Sequence, residues 1–140
     1  MSKKKMTLPE LATALNGLET EDGLSFHAEM IEGEVPALQV SVSDREEFPI
    51  YITIDDSQIL AVSYLWKESE IKPGAREALL DALLTLNIPM PLSAFSKLGS
   101  QYVIFGALSS ESDLKDVIHE VDVLSDNTLE ALESVSEFLE

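Results

Sequence analysis

Between Leu24 and Trp66 the apolar residues recur at every second position, and the breaks between runs are too short to hold a helix. Leu24, Phe26, Ala28 and Met30 share one phase. Leu38, Val40 and Val42 alternate with Gln39, Ser41 and Ser43, and Ile50, Ile52 and Ile54 alternate with Tyr51 and Thr53. A period of two puts alternate side chains on one face of a strand. The breaks are Glu32-Gly33-Glu34, the charged loop 43–47, and Asp55-Asp56-Ser57. Asp55 and Asp56 read as a tight turn and not as a catalytic carboxylate pair, because adjacent residues at a strand end point to opposite faces. A parallel crossover needs a dozen or more residues, so strands joined this closely form an antiparallel meander. The spacing predicts a hairpin over 50–66, turning at Asp55-Asp56-Ser57 and burying Ile52 and Val62.

Two runs, Ile59 to Trp66 and Tyr102 to Leu108, are apolar on both faces, the pattern of central strands. In the first, Leu60, Val62, Tyr64 and Trp66 are expected opposite Ile59, Ala61 and Leu65. Helices surround the meander. Thr7-Leu8-Pro9-Glu10 is a capping box with proline in the first turn, and Leu8, Leu11, Ala12, Leu15 and Leu18 follow at helical spacing. After Pro73-Gly74 a second stripe runs through Ala78, Leu79, Ala82, Leu83 and Leu86, which Asn87, Pro89 and Pro91 end. A short extended piece near 92–96 and a turn at 97–100 lead to Tyr102. The element order is α-β-β-β-β-α-β-β-α, an α+β fold with helices on an antiparallel sheet. With no repeat or linker, residues 1–140 are expected to form a single domain, with 1–6 a disordered basic tail.

Residues 111–140 are expected to form an acidic amphipathic helix or a pair of helices. Leu114, Val117, Val121, Leu124, Thr128, Ala131, Val135 and Phe138 are spaced by alternate threes and fours, a buried seam. The acids Asp116, Glu120, Asp122, Asp126, Glu130, Glu133 and Glu137 are assigned to the outer face. Ser125-Asp126-Asn127, a cluster of poor helix formers, is where the helix would break if it is a pair. The candidate partner-binding residues are Asp126, Glu130, Glu133 and Glu137, with Leu132 and Leu139 beside them.

Charge narrows the functions further. Twenty-six acids against nine bases give −17, and three of the bases are Lys3, Lys4 and Lys5. Such a surface repels phosphates, so neither nucleic acid nor an anionic membrane is an expected partner. No apolar run approaches the ~20 residues of a membrane span. There is no cysteine, and no apolar segment of signal-peptide type follows Lys5, so a cytoplasmic protein is expected. His27 and His119 stand alone, and there is no zinc, serine-elbow or phosphate-loop motif. No metal, cofactor or catalysis is therefore expected. The preferred reading is a non-enzymatic protein-interaction module, and a homodimer, since two helical seams and the sheet edges exceed what one sheet face covers. The runner-up is a small-ligand-binding or enzymatic domain with a pocket near Trp66.

The block "IPMPLSAFSKLGSQYVIFGALSSESDLKDVIHEV" resembles the YjfI-like family of small uncharacterised bacterial proteins, and the resemblance extends over the whole chain. It implies a bacterial cytoplasmic protein and a link to PspA-like membrane-stress proteins. It brings no catalytic residue with it, because the family defines none. The element order is similar to the type III secretion chaperone-like fold, with one more strand in the first meander than that fold usually has. That likeness implies a small, acidic, dimeric chaperone-like adaptor.

Overall fold

The computed structural model describes residues 6–21 and 23–140. Lys3, Lys4 and Lys5, and so the expected basic tail apart from Met6, lie outside the described residues. The elements are α1 (Leu8–Leu15), β1 (Phe26–Ile31), β2 (Ala37–Val42), β3 (Ile50–Ile54), β4 (Gln58–Lys67), α2 (Arg76–Leu86), β5 (Ala94–Leu98), β6 (Gln101–Ser109) and α3 (Leu114–Ser134). Short 3-10 turns at Glu68–Glu70 and Ser136–Phe138 complete them. The strands form one antiparallel sheet in the order β1-β2-β3-β4-β6-β5, so the α+β fold and its element order are as the periodicity predicts.

Local chemistry accounts for the turns. The Thr7 hydroxyl accepts the Glu10 N–H at 3.3 Å, with proline in the first turn, and this starts α1. Gly17, at φ +83°, reverses the chain so that its N–H reaches the Phe26 carbonyl at 2.8 Å. At the β3–β4 hairpin, Asp55 Oδ1 accepts the Ser57 N–H at 2.7 Å, the Ser57 hydroxyl at 2.6 Å and the Gln58 N–H at 2.9 Å. These bonds, that from the Ser57 side chain foremost, hold the Asp55 carboxyl below its usual range.

Most of the large buried side chains lie on the helical side of the sheet, while Val103, 2% exposed, lies on the other. Ile50, Ile52, Ile59, Ala61 and Ile104 meet Leu11 and Leu15 of α1 and Val117, Val121 and Leu124 of α3. A second cluster joins Trp66, Ile71, Leu79, Leu83, Tyr102 and Val135, and closes α2 over the far end of the sheet.

Four expectations need correction. Ile52 pairs with Ala61, so Val62 falls on the opposite face and is only half-buried. A bulge between Tyr64 and Lys67 adds a residue, which turns Trp66 to the helical side and leaves Tyr64 on the other. Ala78 is exposed, because α2 rests on the sheet's end by Leu79 and Leu83, with Leu80, Ala82 and Leu86 half-buried beside them. Glu120, assigned to the outer face of the last helix, is buried at 2% exposure. Gly106 on β6 makes that burial possible, since the missing Cβ leaves room for the carboxyl.

The last helix is continuous through Ser125-Asp126-Asn127 and stops at Ser134. Its poor helix formers are held by neighbours outside the helix. Arg45 Nη1 donates to Ser125 Oγ at 3.1 Å, and Asn127 Nδ2 donates to the Pro91 carbonyl at 2.8 Å and to Ser93 Oγ at 3.0 Å. Tertiary hydrogen bonds here override weak propensity.

Candidate interaction surfaces

The sequence-derived candidates divide between two environments. Asp126, Glu130 and Glu133 are exposed on the outside of α3. Glu137 is exposed too, but it sits on the 3-10 turn beyond the helix end and does not continue the helical row. Asp126 has a structural partner, Arg45, whose Nη1 lies 2.5 Å from its Oδ1. Leu132 and Leu139 are half-buried against the Trp66 cluster, and the backbone at Leu139 bridges to Ile71. The structure therefore presents the acids outward and turns the two leucines in.

A polar cluster that the sequence did not announce lies where β4, α2, β5 and β6 meet. The Tyr102 hydroxyl donates to Glu68 Oε2 at 2.5 Å, Arg76 Nε donates to Glu68 Oε1, and Lys97 Nζ lies 3.6 Å from Glu68 Oε2 and 5.4 Å from the centre of the Tyr102 ring. The Tyr102 hydroxyl, followed by Arg76, holds the Glu68 carboxyl below its ordinary range, while burial raises the Tyr102 phenol. Every polar group in the cluster is used in tying α2 to the sheet. A depressed carboxyl contributes stability that is present above its unfolded pKa and lost as pH falls. Glu68→Gln is accordingly expected to flatten the acid side of a Tm-against-pH curve between pH 7 and 3, and an unchanged acid limb would refute this role.

Next to that cluster the surface turns apolar. Leu84 at the end of α2 is 72% exposed, Ile88 91% and Leu92 53%. Leu92 sits at φ +64°, a conformation costly to a residue with a Cβ. Asn127 holds it there through its bonds to the residues on either side, Pro91 and Ser93. Asn87 caps the free edge of β5, its Oδ1 accepting the Phe95 N–H at 2.8 Å. An apolar hollow of about 230 Å³ separates α2 from β5, lined by Leu80, Leu83, Leu84, Phe95 and Tyr102 among others. This corner lacks the acidity of the last helix. Residues 66–110 carry Lys67, Lys72, Arg76 and Lys97 against Glu68, Glu70, Glu77 and Asp81, which is 4 − 4 = 0, and no acid occurs between Asp81 and Glu111.

Trp66 is enclosed in the second cluster. It is 2% exposed, and its ring lies 5.7 Å from that of Tyr102 inside the second cluster, the position of a core residue. No helix among the described residues is long and apolar enough to cross a membrane.

Comparison with known proteins bears on the family and on the fold. The family described as an uncharacterized protein conserved in bacteria (DUF2170) matches residues 5–139. The "Uncharacterized protein YjfI" of Escherichia coli K12 is 29% identical over 106 residues, which cover 73% of this chain and 78% of that protein. Its counterpart in Escherichia coli O157:H7 matches to the same extent. Among solved structures, the Yersinia pestis type III secretion chaperone SycH, crystallised in complex with a stable fragment of YscM2, is similar at a TM-score of 0.55 and 18% identity, covering 89% of this chain and 95% of that one. At that identity the likeness is one of fold.

Proposed function

We propose that this chain, which belongs to the DUF2170 family of uncharacterized proteins conserved in bacteria, is a non-enzymatic, chaperone-like module that binds another protein in the cytoplasm. The observation that carries this reading is the exposure of Leu84, Ile88 and Leu92, the last of them at a positive φ between Pro91 and Ser93, which Asn127 bonds. A side chain kept in solvent at a conformational cost is the mark of an interaction surface and not of a packing remainder. The chaperone-like fold supports the same reading, since SycH is held with a protein fragment.

This apolar exposure accounts best for a homodimer. A chain of net charge −17 repels its own copy over most of its surface, and the neutral corner of α2 and β5 is where two copies can meet without opposing carboxylates. The acids on α3 then remain outward for a different, basic partner, and a PspA-like membrane-stress protein is the candidate that the family resemblance brings in.

Capture from native lysate on the immobilised full chain tests the reading. A protein partner retained at low salt and released as salt rises is expected, because exposed charges act through a screened field. Glu130→Gln with Glu133→Gln and Glu137→Gln removes three negative charges and spares Asp126, whose carboxylate holds Arg45. It is expected to lower capture several-fold with Tm unchanged. Equal capture by this variant would reduce the acidic face to solvation, and no retained protein at all would sink the reading.

A further inference from the structure

The two strands that are apolar on both faces are β4 and β6, neighbours at the centre of the sheet, and only one of those faces is covered. α1 and α3 pack on the side of Ile59, Ala61 and Ile104. On the opposite side Tyr51, Leu60, Val62, Tyr64, Val103 and Phe105 form a continuous apolar strip. Val62 stands between its register partners Tyr51 and Phe105, Tyr64 pairs with Val103, and the rings of Tyr51 and Tyr64 lie 5.3 Å apart. A shallow depression of about 280 Å³ runs between Leu60, Val62 and Phe105 and the edge strand β5. The uncovered face of an antiparallel sheet is ordinarily a polar, solvated one. Here, among the described residues, its strands carry only Glu29 on β1 and Lys67 at the far end of β4 as formal charges.

The register brings the turns after β1, β3 and β6 to one end of the sheet. They carry Glu32, Glu34, Asp55, Asp56, Glu111 and Asp113 and no base. Hydrogen bonds from Ser57 and Gln58 keep Asp55 in its charged form. The surface is thus an apolar floor with little formal charge, and the described turns at this end of it are acidic.

We infer that the open face of β4 and β6 is a docking site for a cationic amphipathic helix of a partner protein, its apolar stripe on Leu60, Val62, Tyr64 and Phe105 and its lysines or arginines toward the acidic turns. The fold itself supplies the precedent, because α3 covers the same two strands from the other side by an apolar stripe. The acidic end excludes an anionic helix, and a purely apolar one would leave those charges uncompensated. This inference deepens the protein-binding reading by naming the site and the partner's chemistry, and it does not depend on the α2–β5 dimer.

The probe is a synthetic leucine–lysine peptide of about 14 residues, roughly four helical turns, with leucines at helical spacing. The control is the same peptide with glutamate for lysine. Binding to the full chain is read by anisotropy of the labelled peptide at low salt, and the site by amide chemical-shift changes on the parent protein. The lysine peptide is expected to bind with shifts on β4 and β6, the glutamate peptide to remain free, and added salt to weaken the complex. Leu60→Thr with Val62→Thr alters the open face, keeps every charge and is expected to weaken binding about 10-fold, the loss of central apolar contacts. Tyr64→Thr, at a ring already 47% exposed, is expected to weaken it several-fold and serves should the double variant not fold. Equal binding by parent and variants, or shifts confined to α3, would show an ion held by acidity alone and overturn the site. A lower sedimenting mass in the Leu60/Val62 variant, with the mass unchanged in a Leu84/Ile88 variant, would make a second copy the occupant and overturn the partner. A monomeric parent that still binds the lysine peptide on β4 and β6 would remove the dimer and leave this inference standing.

Discussion

Gly106→Ala is expected to destabilise the fold by about 1–3 kcal/mol, the usual cost of forcing an extra methyl group into a packed interior, and to lower Tm by roughly 5–10 °C. A Cβ at Gly106 would overlap Glu120 Oε1, would lie 2.7 Å from Glu120 Cδ, and would stand 3.3 Å from the Leu92 carbonyl oxygen on its other side. The carboxyl is enclosed, and its Oε1 makes no hydrogen bond among the described residues. In a Glu120→Ala background the same Gly106→Ala change is expected to cost less, because the overlap with the carboxyl is gone and only the 3.3 Å contact to the Leu92 carbonyl remains. A double-mutant cycle measures the difference, and equal costs in the two backgrounds would refute the contact. Burial also raises the Glu120 carboxyl pKa, with His119 opposing the shift. A carboxyl raised in the folded state contributes stability that is present below its unfolded pKa and lost as pH rises through the folded value. Glu120→Gln should remove that loss, so its melting curves separate upward from the parent's above the ordinary glutamate range.

Leu84→Asp combined with Ile88→Asp is expected to convert the proposed dimer into a species of one 15.4 kDa chain in sedimentation at tens of micromolar. Both side chains are already in solvent in the single chain, so folding and Tm should hardly change. In the two-fold pair the change places four carboxylates in a neutral apolar contact. A loss of roughly 100-fold or more in association follows from truncating hot-spot residues and adding like charge. A parent that sediments as one chain, or a variant that stays paired, would exclude this surface.

The residues differ sharply in how legible they were. The meander was readable because period-two alternation and turn chemistry are local, and the Asp55 turn carries its own hydrogen bonds. The buried seam of α3 was readable for the same reason, from its threes and fours. Glu120 was not, since its burial depends on a glycine fourteen positions earlier on another strand. Nor was the continuity of α3 through Ser125–Asn127, because the groups that satisfy those side chains come from Arg45, Pro91 and Ser93. The Glu68 cluster draws on four separate elements, and no spacing within one of them announces it.

The amino-acid sequence by itself determined the strands and helices, their order, the antiparallel sheet and the acidity of the last helix, because each follows from propensity, periodicity or composition along a few neighbouring residues. The tertiary structure alone decided which side of each two-faced strand the helices cover. A one-residue bulge after Tyr64 sends Trp66 inward and leaves Tyr64 out, and no pattern in a run with apolar residues on both faces tells which face the helices cover. It also decided that the apolar surface left over lies on α2 and on the open side of β4 and β6, and not on the acidic outer face of the last helix that draws attention in the sequence. Which apolar groups remain exposed depends on how many helices pack on one side of the sheet and how far each reaches, and that is a property of the assembled layers.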